Sequence, residues 1–284
     1  VLFFYDISVN RHLKIKENPN NIYIVPHPLL SKYIAHYTLA FPNTNEMRAC
    51  NENISDITLI PDSSGCIIYT YENNDFSSRL WGATTKTVTV KNDINLKKIR
   101  FFIEFMPGGL HAITGINQLE LCDIQAQVGE VDKYLSFSLI NAVEVSNNID
   151  DMISMVNMIF LKAIETNNKQ HTVIDSILDR IKATNGRITI KELSSNEYIS
   201  ERHLNRLFNE YIGINAKMFS RLVRVNHSIN ILKRDDYKNF LNIAQTLEYF
   251  DQSHFIHDFK QICGVSPNTF LKNMSDFYNE PFKY

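Results

Sequence analysis

The sequence predicts an α+β chain in two parts: a β-rich, barrel-like N-terminal domain followed by helices, and an all-α C-terminal domain. Three observations predict it. Up to about residue 125, short β-branched and aromatic runs alternate with polar turns. From about residue 130 the apolar spacing becomes helical. In the last third, one helical pattern recurs after a shift of 51 residues. The expected boundaries are 1–125 for the β-rich domain, 126–170 for a helical connector and 171–284 for the repeated helical domain. A length of 284 residues suits two domains.

In the first part the strand candidates are residues 22–25, 57–60, 66–71, 84–90 and 99–105, with Asn-rich turns at 17–21 and 72–75. Many short strands of this kind read as a barrel or a sandwich. A barrel can enclose a small ligand. Tyr69, Tyr71, Trp81, Phe101 and Phe105 are the candidate walls of such a pocket, although aromatics at strand spacing more often form plain core. His27, His36, Cys66 and His111 show no metal-ligand spacing, so neither a metal nor a cofactor is expected. Residues 106–109 (MPGG) lack the lysine and the following helix of a phosphate-binding loop, and read as a turn.

Residues 149–164 carry an apolar stripe through Ile149, Met152, Ile153, Val156, Phe160, Ala163 and Ile164, the spacing of a helix. Asp150 and Asp151 fall in its first turn, where the helix dipole favours carboxylates. Two readings stay open: a helix packed on the β-rich domain, or a dimerisation helix, because a stripe does not name its partner. Residues 165–170 read as a polar linker.

The repeat aligns Ser200 with Asp251, His203 with His254, Leu204 with Phe255, Phe208 with Phe259, Gly213 with Gly264 and Phe219 with Phe270. In the first copy, residues 188–197 form a short amphipathic helix, Tyr198 and Ile199 the turn, and Ser200 the N-cap of the next helix. That helix buries Leu204, Leu207, Phe208 and Tyr211, and Gly213 ends it. Its outer face shows Arg202, Asn205, Arg206 and Asn209. Arg can bond guanine and Asn can bond adenine bidentately in the major groove. In the second copy, residues 241–249 form the first helix and Asp251 caps the second. That helix buries Phe255, Phe259 and Ile262 and presents Gln252, Ser253, Ile256, His257 and Lys260. Gly264 ends it and Pro267 follows. Each copy is a helix-turn-helix unit. Residues 216–233 between them predict one helix of about 27 Å at 1.5 Å per residue. That length can set two recognition helices into successive major grooves, which are about 34 Å apart.

These residues resemble the AraC/XylS family of bacterial transcription regulators. The stretch Ser200-Glu-Arg-His-Leu-Asn-Arg-Leu-Phe208 with Gly213 carries the resemblance. So do Asn242-Ile-Ala244, Phe250-Asp-Gln-Ser-His-Phe255, Asp258-Phe-Lys260 and Gly264-Val-Ser-Pro267. It covers about residues 171–275. It implies a DNA-binding domain of two helix-turn-helix units joined by a long helix. It carries base contacts to Arg202, Asn205 and Arg206 in the first unit and to Gln252, Ser253, Ile256 and His257 in the second. Ser200, His203, His254 and Lys260 are the expected backbone contacts. Two positions depart from the family pattern. Glu248 stands where Gly is usual, so a left-handed backbone there would be strained. His257 stands where Arg is usual and is the weaker partner for guanine or phosphate. The second unit is therefore expected to read less sequence than the first. The N-terminal half more loosely resembles the β-rich, cupin-like domain that precedes this module, through residues 25–37, 60–62, 80–82 and 101–109. In related regulators that domain senses a small molecule or mediates dimerisation.

Composition sets the remaining expectations. Hydrophobic residues are 44 % and charged residues 21 %, as in an ordinary folded chain, which excludes long disorder. No apolar run reaches the roughly 18 residues of a membrane-spanning helix. Residues 1–6 (VLFFYD) lack the features of a secretory leader, so the chain is expected to be cytoplasmic, or its leader is already removed. Four cysteines, at 50, 66, 122 and 263, fit a reducing compartment. Residues 1–170 hold 14 basic and 18 acidic side chains, whereas residues 171–284 hold 15 and 13, which points the C-terminal part towards an anionic partner. Double-stranded DNA is the expected partner. A small-molecule effector, RNA polymerase and a second copy of the chain are further candidates. No spacing assembles a catalytic triad, so no enzyme activity is expected. The rivals are a β-barrel enzyme with an accessory DNA-binding domain, and a constitutive regulator without a ligand.

Overall fold

A computed structural model describes residues 13–18, 21–41, 56–73, 75–90, 98–167, 172–233 and 239–272. The strands are β1 (Lys14–Asn18), β2 (Asn21–Ile24), β3 (Ile34–Ala40), β4 (Ile57–Leu59), β5 (Cys66–Glu72), β6 (Asp75–Trp81), β7 (Val88–Val90), β8 (Ile99–Phe105) and β9 (Gln125–Ala126). Seven of them form one antiparallel sheet in the order β1-β2-β3-β8-β5-β6-β9, and β4 pairs separately with β7.

The barrel-like expectation is corrected here. Among the described residues the sheet is open, with β1 and β9 at its edges. The chain covers one face with helices instead of closing the sheet on itself. Those helices are α1 (Gly109–Thr114), α2 (Val128–Val131), α3 (Lys133–Val145) and α4 (Ile149–Asn167). Strand alternation turns Ile22, Ile24, Leu39, Ile67, Ile103 and Phe105 to the covered face, where they share a core with Leu139, Val143, Met152, Val156 and Phe160. Phe105 meets Phe160 edge to face at 6.3 Å. The α4 stripe thus packs on the sheet, and Asp150 and Asp151 do lie in its first turn.

Three local expectations change as well. Helix α4 runs to Asn167, so the first half of the expected linker is helical. The Asn167 side-chain amide bonds the Ile113 carbonyl, which ties the end of α4 to α1. The rest of that linker, the 170/171 boundary and Cys50 lie outside the described residues. A helix does follow residues 106–109: Gly108 takes φ +84° and α1 begins at Gly109. Residues 84–87 are not strand, and only Val88–Val90 of that candidate pairs.

Among the described residues the elements of the C-terminal part are all helices: α5 (Thr172–Ala183), α6 (Ile190–Asn196), α7 (Glu201–Tyr211), α8 (Ala216–Leu232), α9 (Phe240–Thr246), α10 (Gln252–Cys263) and α11 (Pro267–Lys272). Its core gathers Ile177, Leu193, Leu204, Phe208, Phe219, Leu222, Ile243, Phe255 and Phe259 around α8. The observed helices before each turn, α6 and α9, are each shorter than the stretch read from the sequence. Both end where the chain enters left-handed backbone, at Tyr198 (φ +54°) and Glu248 (φ +55°).

Candidate nucleic-acid interface

The two units are built by the same local chemistry. Thr189 caps α6, its hydroxyl accepting the Glu192 N–H while the Glu192 carboxylate accepts the Thr189 N–H at 2.8 Å. Those bonds hold the Glu192 carboxyl below the usual carboxylate range. After the turn, the Ser200 hydroxyl accepts the His203 N–H at 3.1 Å and starts α7. In the second unit Asn239 caps α9, and the Asp251 carboxylate accepts the His254 N–H at 2.7 Å and starts α10. Each cap satisfies an N–H that the first helical turn leaves without a partner.

The caps fix which face of each recognition helix is bare. On α7, Leu204, Leu207 and Phe208 are buried, while Arg202 and Arg206 are exposed and Asn205 and Asn209 half-buried on the opposite side. Arg206 lies 3.5 Å from Glu210 and 3.3 Å from the His203 ring, contacts that a DNA base or phosphate can replace. On α10, Gln252, Ser253, His254, His257 and Lys260 are exposed and Ile256 is half-buried against the core. All the expected contact residues therefore lie on or beside the two bare faces. Three more have a local role. Asn205 accepts the Ala216 N–H at 3.4 Å, the His254 ring accepts the Phe250 N–H at 3.4 Å, and His257 stands 3.4 Å from Gln261.

Behind these faces lies a polar network that the sequence reading missed. Asp258 occupies the buried side of α10 among Phe255, Phe259 and Ile262. Its carboxylate takes the Arg221 guanidinium from α8 at 2.6 Å and the Tyr249 hydroxyl at 3.0 Å. Burial, and then the Asp258 charge, push the Tyr249 hydroxyl far above its ordinary range, so it stays a donor. A charge on the apolar side of an amphipathic pattern was the available signal, because a buried carboxylate requires a partner.

The N-terminal part touches the first unit. The 3-10 turn Gln118–Glu120 packs on the end of α7, and the His111 and Tyr211 rings are 4.3 Å apart. Gly213 has φ +91°, and a Cβ there would lie 2.8 Å from the Gln118 carbonyl oxygen. Only glycine fits both the backbone angle and the approach. A cleft of about 620 Å³ beside this contact is lined by Asn117 and Leu119 together with Arg202, Asn205, Arg206 and Asn209.

The five aromatics expected to wall a pocket do not form one wall. Tyr69, Phe101 and Phe105 are buried in the sheet–helix core, and Tyr71 packs against its edge. Trp81 pairs with Cys66, one residue out of phase with Leu80 and Ile67, and so faces the other side of the sheet. Among the described residues, no group of three His, Cys, Asp or Glu side chains could hold a metal ion, and no helix is long and apolar enough to cross a membrane.

Two capped helix pairs of this geometry, joined by one 17-residue helix, define a double helix-turn-helix domain. Residues 193–273 match the family described as "Helix-turn-helix domain". The C-terminal part of the chain is an AraC-type helix-turn-helix domain. The chain is similar to the uncharacterized HTH-type transcriptional regulator YidL of Escherichia coli, 31 % identical over 31 % of this chain and 29 % of that protein. It is also similar to the transcriptional regulatory protein HptR of Staphylococcus aureus, 26 % identical over 35 % of this chain and 39 % of that protein. The chain thus spans well under half the length of these relatives. Among solved structures it is similar to ToxT from Vibrio cholerae O395, with a TM-score of 0.41 and 14 % identity over 77 % of this chain and 94 % of that one.

Proposed function

We propose that the chain is a sequence-specific DNA-binding transcription regulator. Helices α7 and α10 enter successive major grooves, and the N-terminal domain senses a small molecule, mediates dimerisation, or does both. The observation that carries this reading is the pair of bare, polar recognition faces held by a single 17-residue helix. At 1.5 Å per residue α8 is about 26 Å long, long enough to hold two recognition helices apart on the scale of the roughly 34 Å groove repeat. Arg202, Asn205 and Arg206 read bases in the first groove. Gln252, Ser253, Ile256 and His257 read the second, and Ser200, His203, His254 and Lys260 meet the backbone. The reading places the chain in the cytoplasm, with DNA and RNA polymerase as partners and no catalytic role.

Coupling between the parts is supported by the cleft that Asn117 and Leu119 share with four residues of the α7 face. A ligand or partner that shifts the 118–120 turn changes access to α7, provided it binds the two arrangements with different affinity. A second copy of the chain is supported by Tyr134, Phe137 and Met158, apolar side chains left more than 60 % exposed on α3 and α4. Selection of bound fragments from genomic DNA tests the reading. An enriched motif over about two helical turns supports it, and the absence of any enriched motif opposes it.

A further inference from the structure

The partly buried network behind the recognition helices, centred on buried Tyr249 and Asp258, reaches both units, and it ends on a residue assigned to read bases. Arg224 of α8 donates to the Gly186 carbonyl at 2.6 Å, in the turn that leads into the first unit. Gly186 sits so close to α8 that a Cβ would lie 2.1 Å from the Ser220 carbonyl oxygen. The same Arg224 guanidinium lies over the Tyr249 ring of the second unit at 5.1 Å. Tyr249 donates to Asp258 at 3.0 Å, and Arg221, one turn before Arg224, donates to Asp258 at 2.7 Å and to Gln261 at 2.6 Å. Gln261 is 3.4 Å from His257 on the reading face. Arg187, beside Gly186, pairs with Glu248 at 2.6 Å and spans the two units a second time.

Hydrophobic burial is non-directional, whereas a hydrogen bond fixes both a distance and an angle. Buried ion pairs contribute little net stability, and their best-attested use is to fix a register. We infer that Arg221, Arg224, Tyr249 and Asp258 are positioning residues that fix the separation and angle of α10 relative to α7, and so make the protein selective for the spacing between its two half-sites. The inference rests on the DNA-binding reading above. A change of one base pair displaces the second half-site by about 3.4 Å and turns it by about 35°. A rigid pair of readers cannot follow that change, and a loosened pair can.

The test uses the full chain on the selected site and on versions with one base pair added or removed between the half-sites. Tyr249→Phe deletes one bond to Asp258 and keeps the ring under Arg224. The double change Arg221→Met with Asp258→Leu removes the charge pair without stranding either charge, and, made together with Tyr249→Phe, leaves no buried hydroxyl without its acceptor. Urea unfolding in the binding buffer confirms that each variant is folded. The wild-type chain is expected to lose about tenfold or more in affinity when the spacing changes, in the range of a mismatched base pair. Each folded variant should lose less than about threefold, because affinity for the altered spacing rises relative to the original. A structural role alone would lower affinity for all spacings equally and leave the ratio unchanged, which overturns the inference. So does a wild-type chain that binds all spacings alike. A wild-type chain that selects no site at all overturns the DNA-binding reading itself.

Discussion

Glu248 offers a quantitative test of how the second unit is held. It sits at φ +55°, in the left-handed region, immediately after α9. A residue with a Cβ is disfavoured there by roughly 1–2 kcal/mol. Glycine would escape that cost but gives the unfolded chain more freedom, which returns about 0.4–1 kcal/mol. The Glu248 carboxylate also pairs with Arg187 at 2.6 Å, with side chains 64 % and 33 % exposed, a pair worth about 0–1 kcal/mol. Two substitutions separate these effects. Glu248→Ala removes the ion pair and keeps the strained Cβ. Glu248→Gly removes both. The Gly variant should exceed the Ala variant by about 1 kcal/mol, or about 2–4 °C in Tm. The Ala variant should fall at or slightly below wild type. Thermal and urea unfolding followed by circular dichroism provide the assay. Equal midpoints for the two variants, or greater stability for Ala, would refute the reasoning.

Further outcomes follow from the interface. Arg206→Ala should cost about 1–3 kcal/mol in binding and relax specificity at one base; an equal loss on every sequence would mean that Arg206 touches phosphate only. His257→Arg should tighten binding and steepen its salt dependence by the added charge, as read from affinity titrated against salt; an unchanged slope would oppose a DNA contact there. Gly213→Ala forces a Cβ onto the Gln118 carbonyl at φ +91°, and should lower stability by more than about 1 kcal/mol in urea unfolding. A midpoint equal to wild type would show that the contact between the 118–120 turn and α7 yields freely.

The helical part was legible because its signals are local. Ser200 and Asp251 mark helix starts, Gly264 marks a helix end at φ +74°, and the apolar period between them fixes the buried face. Glu248 was legible as a strained position only through the family resemblance, which has Gly there, and its backbone is left-handed. The buried network was harder to read, because Arg221 and Asp258 are 37 residues apart and meet only when α8 and α10 cross. The β-rich part hid more. Strand β3 is buried on nearly all sides, so it shows no alternation. Strand β1 is a polar edge, and β6 carries Ser and Arg on its exposed face. Helix α1 has only six residues, too few for a helical period to stand out. Strand number does not decide whether a sheet closes, and here helices α3 and α4 take the covering role. Of the five aromatics only Trp81 differs in phase: it follows Leu80 by one residue, and one residue reverses the face.

The most direct measurement of the central claim is selection of genomic fragments by the full chain, followed by affinity for the selected site as salt is raised. The account predicts a motif extending over about two helical turns, with more information in the half read by α7 than in the half read by α10, and an affinity that falls as salt rises. Salt-sensitive binding without a motif, or a motif confined to one half-site, would contradict it.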